Sequence, residues 1–319
     1  SQKGAKLGEM FKDVGILGAL VVCYLLSLFF GGTLGLPAGV AYGIAGLLLI
    51  GVGIITKFSI GSFLLFFLFV AHLLVGAVEL GTDGWIQNIT GNLFTSEQGK
   101  YLFIWTSAIM FGLRFCANFI EKNLKLSPVG LLLLSAILAV VGLRFASGMQ
   151  TFGIALLALG IYALGKTFFW PTMLAVASDR FPRTGAIAIS MMGGIGMLSA
   201  GLIGGPGLGY SKDRFSSQTL NNSNPAVYEQ VKAETPSKFL FLEPVNAIDG
   251  KKLAEAKAVA KEARSPEQEA IVMADQTGDR KTLTADSFIP LSMAVIYLLM
   301  LLYFKSIGGY KAVHIDEEK

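Results

Sequence analysis

Apolar runs of about 20 residues recur along the whole chain, and no other feature constrains its fold as strongly. At about 1.5 Å per residue, a helix of that length crosses the hydrocarbon core of a bilayer, which is about 30 Å thick. Because the runs recur, a single cleaved signal peptide does not explain them. Hydrophobic residues make up 53% of the 319 positions and charged residues only 15%, a balance that water-soluble domains rarely show. The pattern predicts an all-α membrane protein.

Eight transmembrane helices follow from these runs and from the charged, glycine or proline residues that bound them. They are expected near 14–31, 35–56, 60–90, 101–121, 127–147, 151–178, 184–205 and 288–305. The chain then divides into a start with two helices (1–58), five further helices (59–209), a long soluble insertion (210–287), and a last helix with its tail (288–319).

The distribution of lysine and arginine predicts the orientation, because positive residues concentrate in cytoplasmic loops. The opposite side's short connections hold only Lys100 and, at a helix end, Arg144. We therefore expect both termini in the cytoplasm. The short segments on that side contain Lys3, Lys6, Lys12, Lys57, Lys122, Lys125, Arg180, Arg183, Lys305, Lys311 and Lys319.

The 210–287 segment is the one long polar stretch, and this orientation places it outside the membrane. Its middle, residues 248–275, has the alanine, lysine and glutamate content of a solvated helix. A lid or partner site is one interpretation of the segment, and an accessory insertion is the other.

Ionisable residues inside three of the spans are functional candidates, because charge in hydrocarbon is costly unless it faces protein or water. On the third span, the spacing of His72, Gly76, Glu79, Asp83 and Gln87 predicts one polar helix face. On the sixth span, the same reasoning aligns Tyr162, Lys166 and Trp170, ahead of a kink at Pro171.

Glu79 and Lys166 are expected at similar depth, so that an acid and an amine would offset each other's desolvation. Protonating the carboxylate would release the pair, as a proton-coupled carrier requires. The alternative is a static buried ion pair that orders the bundle. For Asp83, which lies nearer the outer surface, plain solvation is an equal alternative.

Aromatic and amide side chains near these charges are of the types that bind polyols, since rings stack on sugar faces and amides donate and accept hydrogen bonds. The tryptophans could equally be interfacial anchors, and His72 alone could be a packing residue. The candidate set is Trp85, Gln87, Asn88, Trp105, Tyr162 and Trp170.

Two charged clusters at the cytoplasmic ends of helices are candidates for a gate. The first contains Arg114 and Glu121, and the second contains Asp179, Arg180 and Arg183. Orientation by positive charge, or an arginine reaching the interface, would also explain them.

Small residues in the seventh span predict close helix packing, at Gly193, Gly196, Ala200 and Gly204. They do not form a phosphate loop, because no strand precedes them and no Lys-Ser/Thr pair follows.

Cys23 and Cys116 lie in apolar runs and suggest neither a disulfide framework nor a metal site. No cofactor, metal or nucleic acid is expected.

Residues 165–173 (GKTFFWPTM), 178–182 (SDRFP) and 193–197 (GGIGM) resemble the tenth and eleventh helices of bacterial major facilitator superfamily transporters. Residues 76–85 (GAVELGTDGW) resemble the acid-containing seventh helix of fucose-permease-like sugar and proton symporters. Residues 112–114, 121–122 and 127–128 are similar to the loop between the eighth and ninth helices. The resemblance covers about residues 60–205 and, more weakly, 288–312.

This resemblance implies that the third to eighth spans form the second six-helix bundle of such a transporter. The first two spans are then extra, as in members with fourteen helices, and the first bundle is missing from this chain. A solute crosses between two bundles in this family, so the chain is expected to hold half of the site.

The leading functional hypothesis is secondary active transport of a small polar solute, such as a sugar or sugar acid, driven by a proton or sodium gradient. Glu79 is the expected coupling acid and Lys166 its partner or an anion contact. A membrane enzyme acting through the 210–287 segment is an alternative, although that segment has no histidine and no recognisable nucleophile or metal spacing. A sensor or assembly subunit with a transporter fold is the third.

Overall fold

The computed structural model describes residues 6–314, so Lys3 and Lys319 of the predicted charge bias lie outside the described residues. Within that range the chain is helical, and its β-bridges, Lys232 with Ile248 and Ser237 with Val245, are isolated. The helices are α1 (Leu7–Met10), α2 (Gly15–Thr33), α3 (Ala38–Ile55), α4 (Phe63–Leu93), α5 (Ser96–Phe115), α6 (Ala117–Leu124), α7 (Pro128–Ser147), α8 (Phe152–Arg180), α9 (Gly185–Ser223), α10 (Pro225–Val231), α11 (Gly250–Ala258) and α12 (Pro266–Ser306).

Seven of the described helices are long and apolar enough to cross a membrane: α2, α3, α4, α7, α8, α9 and α12. The helices α5 and α6 pass the same test as a pair, bent by 68° at Cys116, and raise the number to eight. The predicted all-α membrane fold is confirmed. The predicted fourth span, 101–121, is a straight α5 followed by a short helix at an angle.

Hydroxyl side chains cap the starts of α4, α5, α7 and α8, and Ser265 does the same for α12. Ser62, Thr95, Ser127 and Thr151 each accept a hydrogen bond from the backbone N–H three residues on, which satisfies a donor that the helix leaves free. These caps set where α4, α5, α7 and α8 begin.

Prolines account for three interruptions in the long helices, because proline lacks an N–H and its ring collides with the carbonyl four residues earlier. Thr167 and Phe168 interrupt α8 before Pro171, as the predicted kink requires. A π-helical segment, Ala200–Gly204, precedes Pro206 in α9, and Ser287 interrupts α12 before Pro290. Two further π segments have no such proline: Phe29–Thr33 at the end of α2 and Gly76–Thr82 in the middle of α4.

The π segments of α4 and α9 pack against each other through glycines. A Cβ atom on Gly76 would overlap the carbonyl oxygen of Gly196, and one on Gly204 would lie 2.6 Å from the carbonyl oxygen of Ala77. The predicted close packing is therefore present at Gly196 and Gly204, and Ala200 begins the α9 π segment. At Gly193 it is absent, since an added Cβ would meet no atom within 4 Å.

The bundle core lies between α4, α7, α8, α9 and α12. Helices α7 and α8 approach to backbone contact, because Gly142 faces the backbone of Tyr162 and Gly165 faces that of Ala139. Helix α3 is peripheral, with 17% of its apolar window buried, and exposes Tyr42, Leu47, Ile50 and Ile54.

Helices α9 and α12 extend far beyond the apolar runs that predicted them. The prediction ended the seventh span at 205 and began the eighth at 288, whereas α9 has 39 residues and α12 has 41. At about 1.5 Å per residue, α12 is about 60 Å long, which is twice the hydrocarbon thickness. The predicted helix over 248–275 is instead α11, a break, and the start of α12.

The 210–287 segment has a small apolar core of its own. Its buried members are Leu220, Val227, Val231, Ile248, Ala256, Ile271, Val272 and Ala274. The segment is therefore a helical extension built on α9 and α12, with α10 and α11 packed between them.

Candidate functional site

Glu79 lies within the π segment of α4, near the middle of the helix. The residue is 4% exposed, and its Oε1 accepts a hydrogen bond from an Nη of Arg114 at 3.1 Å. The other oxygen, Oε2, has no hydrogen-bond partner among the described residues. Arg114 comes from the last turn of α5 and has 44% of its side chain exposed. Thus a buried acid is joined to a partly accessible cation.

Lys166, which is fully buried, pairs with Asp83, the residue directly after the π segment. Its Nζ lies 2.6 Å from the Oδ2 of Asp83 and 5.4 Å from the ring centre of Tyr162. The expected pair of Glu79 with Lys166 is therefore replaced by two pairs, and Asp83 is not merely solvated. The physical reason is the π segment, which rotates less per residue than an α-helix and so turns the two acids toward different neighbours.

Asp286 forms a third buried acid beside these pairs, and the sequence-based prediction missed it. Its Oδ2 accepts a hydrogen bond from the hydroxyl of Thr82 at 2.6 Å, while Oδ1 has no partner among the described residues. The phenol of Tyr162 donates to the carbonyl of Val78 at 3.2 Å. Asp286 lies two positions before the apolar run that predicted the last span. The only sequence signal for it was therefore an acid followed four positions later by Pro290.

His72 and Trp170 meet where α4, α8 and α9 converge. Their rings lie 4.6 Å apart edge to face, and Gly196 leaves room for both. Both His72 ring nitrogens lack hydrogen-bond partners among the described residues. His72 therefore packs as a ring.

An open groove of about 570 Å³ runs past the Glu79–Arg114 pair. It combines a carboxylate, a guanidinium and aromatic rings, which can hold a polar molecule with an apolar face. Its lining residues are Glu79, Leu80, Arg114, Ala117, Phe168, Trp170, Pro171, Leu174 and Met197.

The other proposed polyol contacts do not line this groove. Tyr162 is fully buried, Gln87 is half-buried and Asn88 is exposed further along α4. The indole of Trp105 donates to the carbonyl of Leu156 at 2.9 Å, and Trp85 packs on α9 beside Gly209. Of the aromatic and amide set, Trp170 is the member at the groove.

The second predicted gate cluster ties the end of α8 to the residues after α12. Asp179 accepts a hydrogen bond from the Tyr310 hydroxyl at 2.8 Å, and Arg180 donates to the carbonyl of Lys311 at 2.8 Å. Burial, together with that bond to Asp179, raises the pKa of the Tyr310 phenol. Arg183 and Glu121 are exposed, Glu121 on α6.

A separate charged cluster joins the end of α4 to the 210–287 segment. Asp275 lies 3.3 Å from the Nζ of Lys212 and 2.6 Å from that of Lys257, and it accepts a hydrogen bond from Asn92 at 2.8 Å. Asp279 contacts Lys212 at 3.0 Å and also accepts from Asn92. We call these five residues the junction cluster.

Residues 6–314 contain no group of three or more histidine, cysteine or acidic side chains placed to hold a metal. Cys23 is buried in α2 and Cys116 is exposed at the bend between α5 and α6.

No family model matches this sequence. No curated protein matches it either. Among solved structures, the chain is similar to a bacterial homologue of the human lysosomal transporter Spinster, in an inward-facing and occupied conformation. The two share 14% sequence identity with a TM-score of 0.52, over 92% of this chain and 68% of the other. This likeness, with seven or eight membrane-spanning helices, shows an integral membrane protein with an all-α transporter fold.

Proposed function

We propose that this chain belongs to a secondary active carrier of the major facilitator type, which moves a small polar solute such as a sugar or sugar acid. The observation that carries the proposal is the Glu79 carboxylate, buried in the membrane-spanning part of α4 and opening onto the groove. An ionisable group in that position is costly unless it serves a pathway or a partner.

The contacts of Glu79 suggest how coupling works. When the carboxylate is charged, it holds Arg114 through Oε1. When a proton neutralises it, the guanidinium loses its counter-charge and is free to hold an anionic or hydroxylated solute in the groove. The proton and the solute then bind together, which is the basis of symport. A sodium ion at the partnerless Oε2 would do the same electrostatic work.

The pair of Lys166 and Asp83 stabilises the contact between α4 and α8 next to Glu79. Lys166 is fully buried, binds Asp83 and lies over the ring of Tyr162, so this pair keeps the α4–α8 contact in place while Glu79 changes charge. A helical bundle outside this chain would supply the opposite wall of the groove, with the solute moving by rocking of the two. In this proposal both termini are cytoplasmic, in a bacterial inner membrane, and the 210–287 segment is external.

The test uses the full coding sequence that contains this chain, reconstituted in liposomes. Uptake of radiolabelled hexoses and hexuronates is measured under an imposed proton gradient, and then under a sodium gradient. We expect the Glu79→Gln variant to lose accumulation against a gradient while still exchanging solute at equilibrium.

The matched control is Glu97→Gln, because Glu97 is an exposed acid on α5 whose contact is Tyr101. That variant should accumulate solute like the unmodified protein. Uphill uptake by Glu79→Gln under the gradient that drives the unmodified protein would remove Glu79 from the coupling role.

A further inference from the structure

Four consecutive apolar residues form the tip of a loop in the otherwise polar 210–287 segment. Phe241 is 89% exposed, and Leu240 and Leu242 are 42% and 38% exposed. Lys238 and Glu243 flank the tip, and a bridge between Ser237 and Val245 closes the loop. Exposed apolar side chains grouped in this way mark a contact surface.

The backbone at the tip is held in an unfavourable conformation. Leu240 has φ of 48°, in the left-handed region that a branched, bulky residue rarely adopts. Strain of this kind persists where the surrounding structure maintains it, and it collects at functional sites. Here it accompanies a turn that exposes Phe241.

Phe239 packs the loop against α9. Its ring packs on Gly207 and lies 6.0 Å from the ring of Tyr210, while the Tyr210 hydroxyl donates to the carbonyl of Glu243 at 2.6 Å. Gly207 follows the π segment of α9 within one turn, so the loop lies just past the apolar part of that helix.

The loop also borders the turn between α2 and α3. A cavity of about 470 Å³ is lined jointly by residues 238–240, by Gly31 to Thr33 at the end of α2, and by Ala38, Ala41 and Tyr42 at the start of α3. Both helices have close to the minimum length for a crossing, so this turn marks one edge of the hydrocarbon core. Leu34, Val40 and Tyr42 are exposed there and form a neighbouring apolar surface with the loop tip.

We propose that residues 239–242 insert into the bilayer interface beside the α2–α3 turn, with Phe241 among the lipid chains. The occupant of this surface is lipid because the tip lies at the level where two spans end, and because the apolar run is bounded by one cation and one anion that can stay at the headgroups. The loop thereby anchors the 210–287 segment to the membrane at a point separate from α9 and α12.

The experiment places one environment-sensitive fluorophore on the full-length protein in liposomes. Cys23→Ala and Cys116→Ser remove the two thiols of this chain, any further cysteine of the full-length protein is replaced by serine, and Phe241→Cys carries an NBD label. The control is Lys251→Cys, an exposed position on α11 of the same segment. Brominated phosphatidylcholine quenches from the acyl chains and iodide quenches from water.

We expect NBD at 241 to show a blue-shifted emission, loss of fluorescence in brominated lipid and little loss with iodide. The label at 251 should show the reverse. Iodide quenching at 241 equal to that at 251 would place the tip in water and overturn the proposal. Protection of 241 from both quenchers would overturn it too, because a protein surface would then cover the tip.

Discussion

Two groups of buried acids in this protein differ in how many partners each acid has. In the membrane-spanning bundle, Glu79 is held by Arg114 and Asp83 by Lys166, as separate pairs. In the junction cluster, Asp275 is held at once by Lys212, Lys257 and Asn92. Among the described residues, one oxygen of Glu79 and one of Asp286 have no hydrogen-bond partner, whereas both oxygens of Asp275 are engaged. In the junction cluster, the Oδ1 of Asp279 also lacks a hydrogen bond, but it lies 3.0 Å from the Nζ of Lys212.

The number of partners distinguishes an acid that stabilises the fold from an acid that can change its protonation state. An acid with three partners cannot change its charge without disturbing several contacts, so the junction cluster acts as a fixed joint. An acid with one accessible partner can gain or lose a proton at small structural cost. Variants in the two regions should therefore differ in how much stability they lose.

The largest effect is expected at the junction cluster. Asp275→Ala leaves Lys212 and Lys257 beside an emptied buried position, and breaking a buried ion pair from one side costs about 3–5 kcal/mol. The measurement is thermal unfolding of the purified protein in detergent. Glu255→Ala, an exposed acid on α11, serves as the control and should change the unfolding free energy by less than about 0.5 kcal/mol. Equal effects of the two variants would show that the cluster is not a joint.

A smaller loss is expected where α4 and α9 touch. Gly76→Ala places a methyl group on the carbonyl oxygen of Gly196, and overpacking of this kind costs about 1–3 kcal/mol. Gly84→Ala lies on the same helix with nothing within 4 Å of the added carbon, so it should be neutral or slightly stabilising. The measurement is the thermal unfolding midpoint of each of the two variants. A tolerated Gly76→Ala would mean that the two helices are not in backbone contact.

The smallest stability effect is expected at Glu79. Glu79→Gln keeps the shape of the side chain, and Arg114 remains 44% exposed, so the lost ion pair should cost less than about 1 kcal/mol. Unfolding midpoints of Glu79→Gln and Asp275→Ala, measured side by side, give the comparison directly. A loss at Glu79 as large as that at Asp275 would make its ion pair a structural one.

The spans were predictable from sequence because apolar length alone identifies them. Their ends in α9 and α12 were not, since hydropathy falls at Tyr210 and rises again only at Phe288 while the helices continue through polar residues such as Lys212 and Asp275. The polar parts of those helices are stabilised by packing against each other and by a second apolar core, and no local sequence pattern predicts either contact.

The residues of the candidate site were largely predictable, but their partners were not. A regular α4 would place Glu79 and Lys166 at similar depth in the membrane. The seven-residue π segment changes the angular register between Glu79 and Asp83, and it brings Arg114 and Lys166 to different acids. A glycine at each of positions 76 and 81 was the available signal for an irregular helix meeting a close neighbour.

The length of α12 has a mechanical consequence. About 20 of its residues lie beyond a single membrane crossing, which makes an arm of about 30 Å. A tilt of about ten degrees in the membrane half would move the tip of that arm by about 5 Å. Ser287, where the helix is interrupted, is the place at which such a tilt would be either passed on to the junction cluster or absorbed.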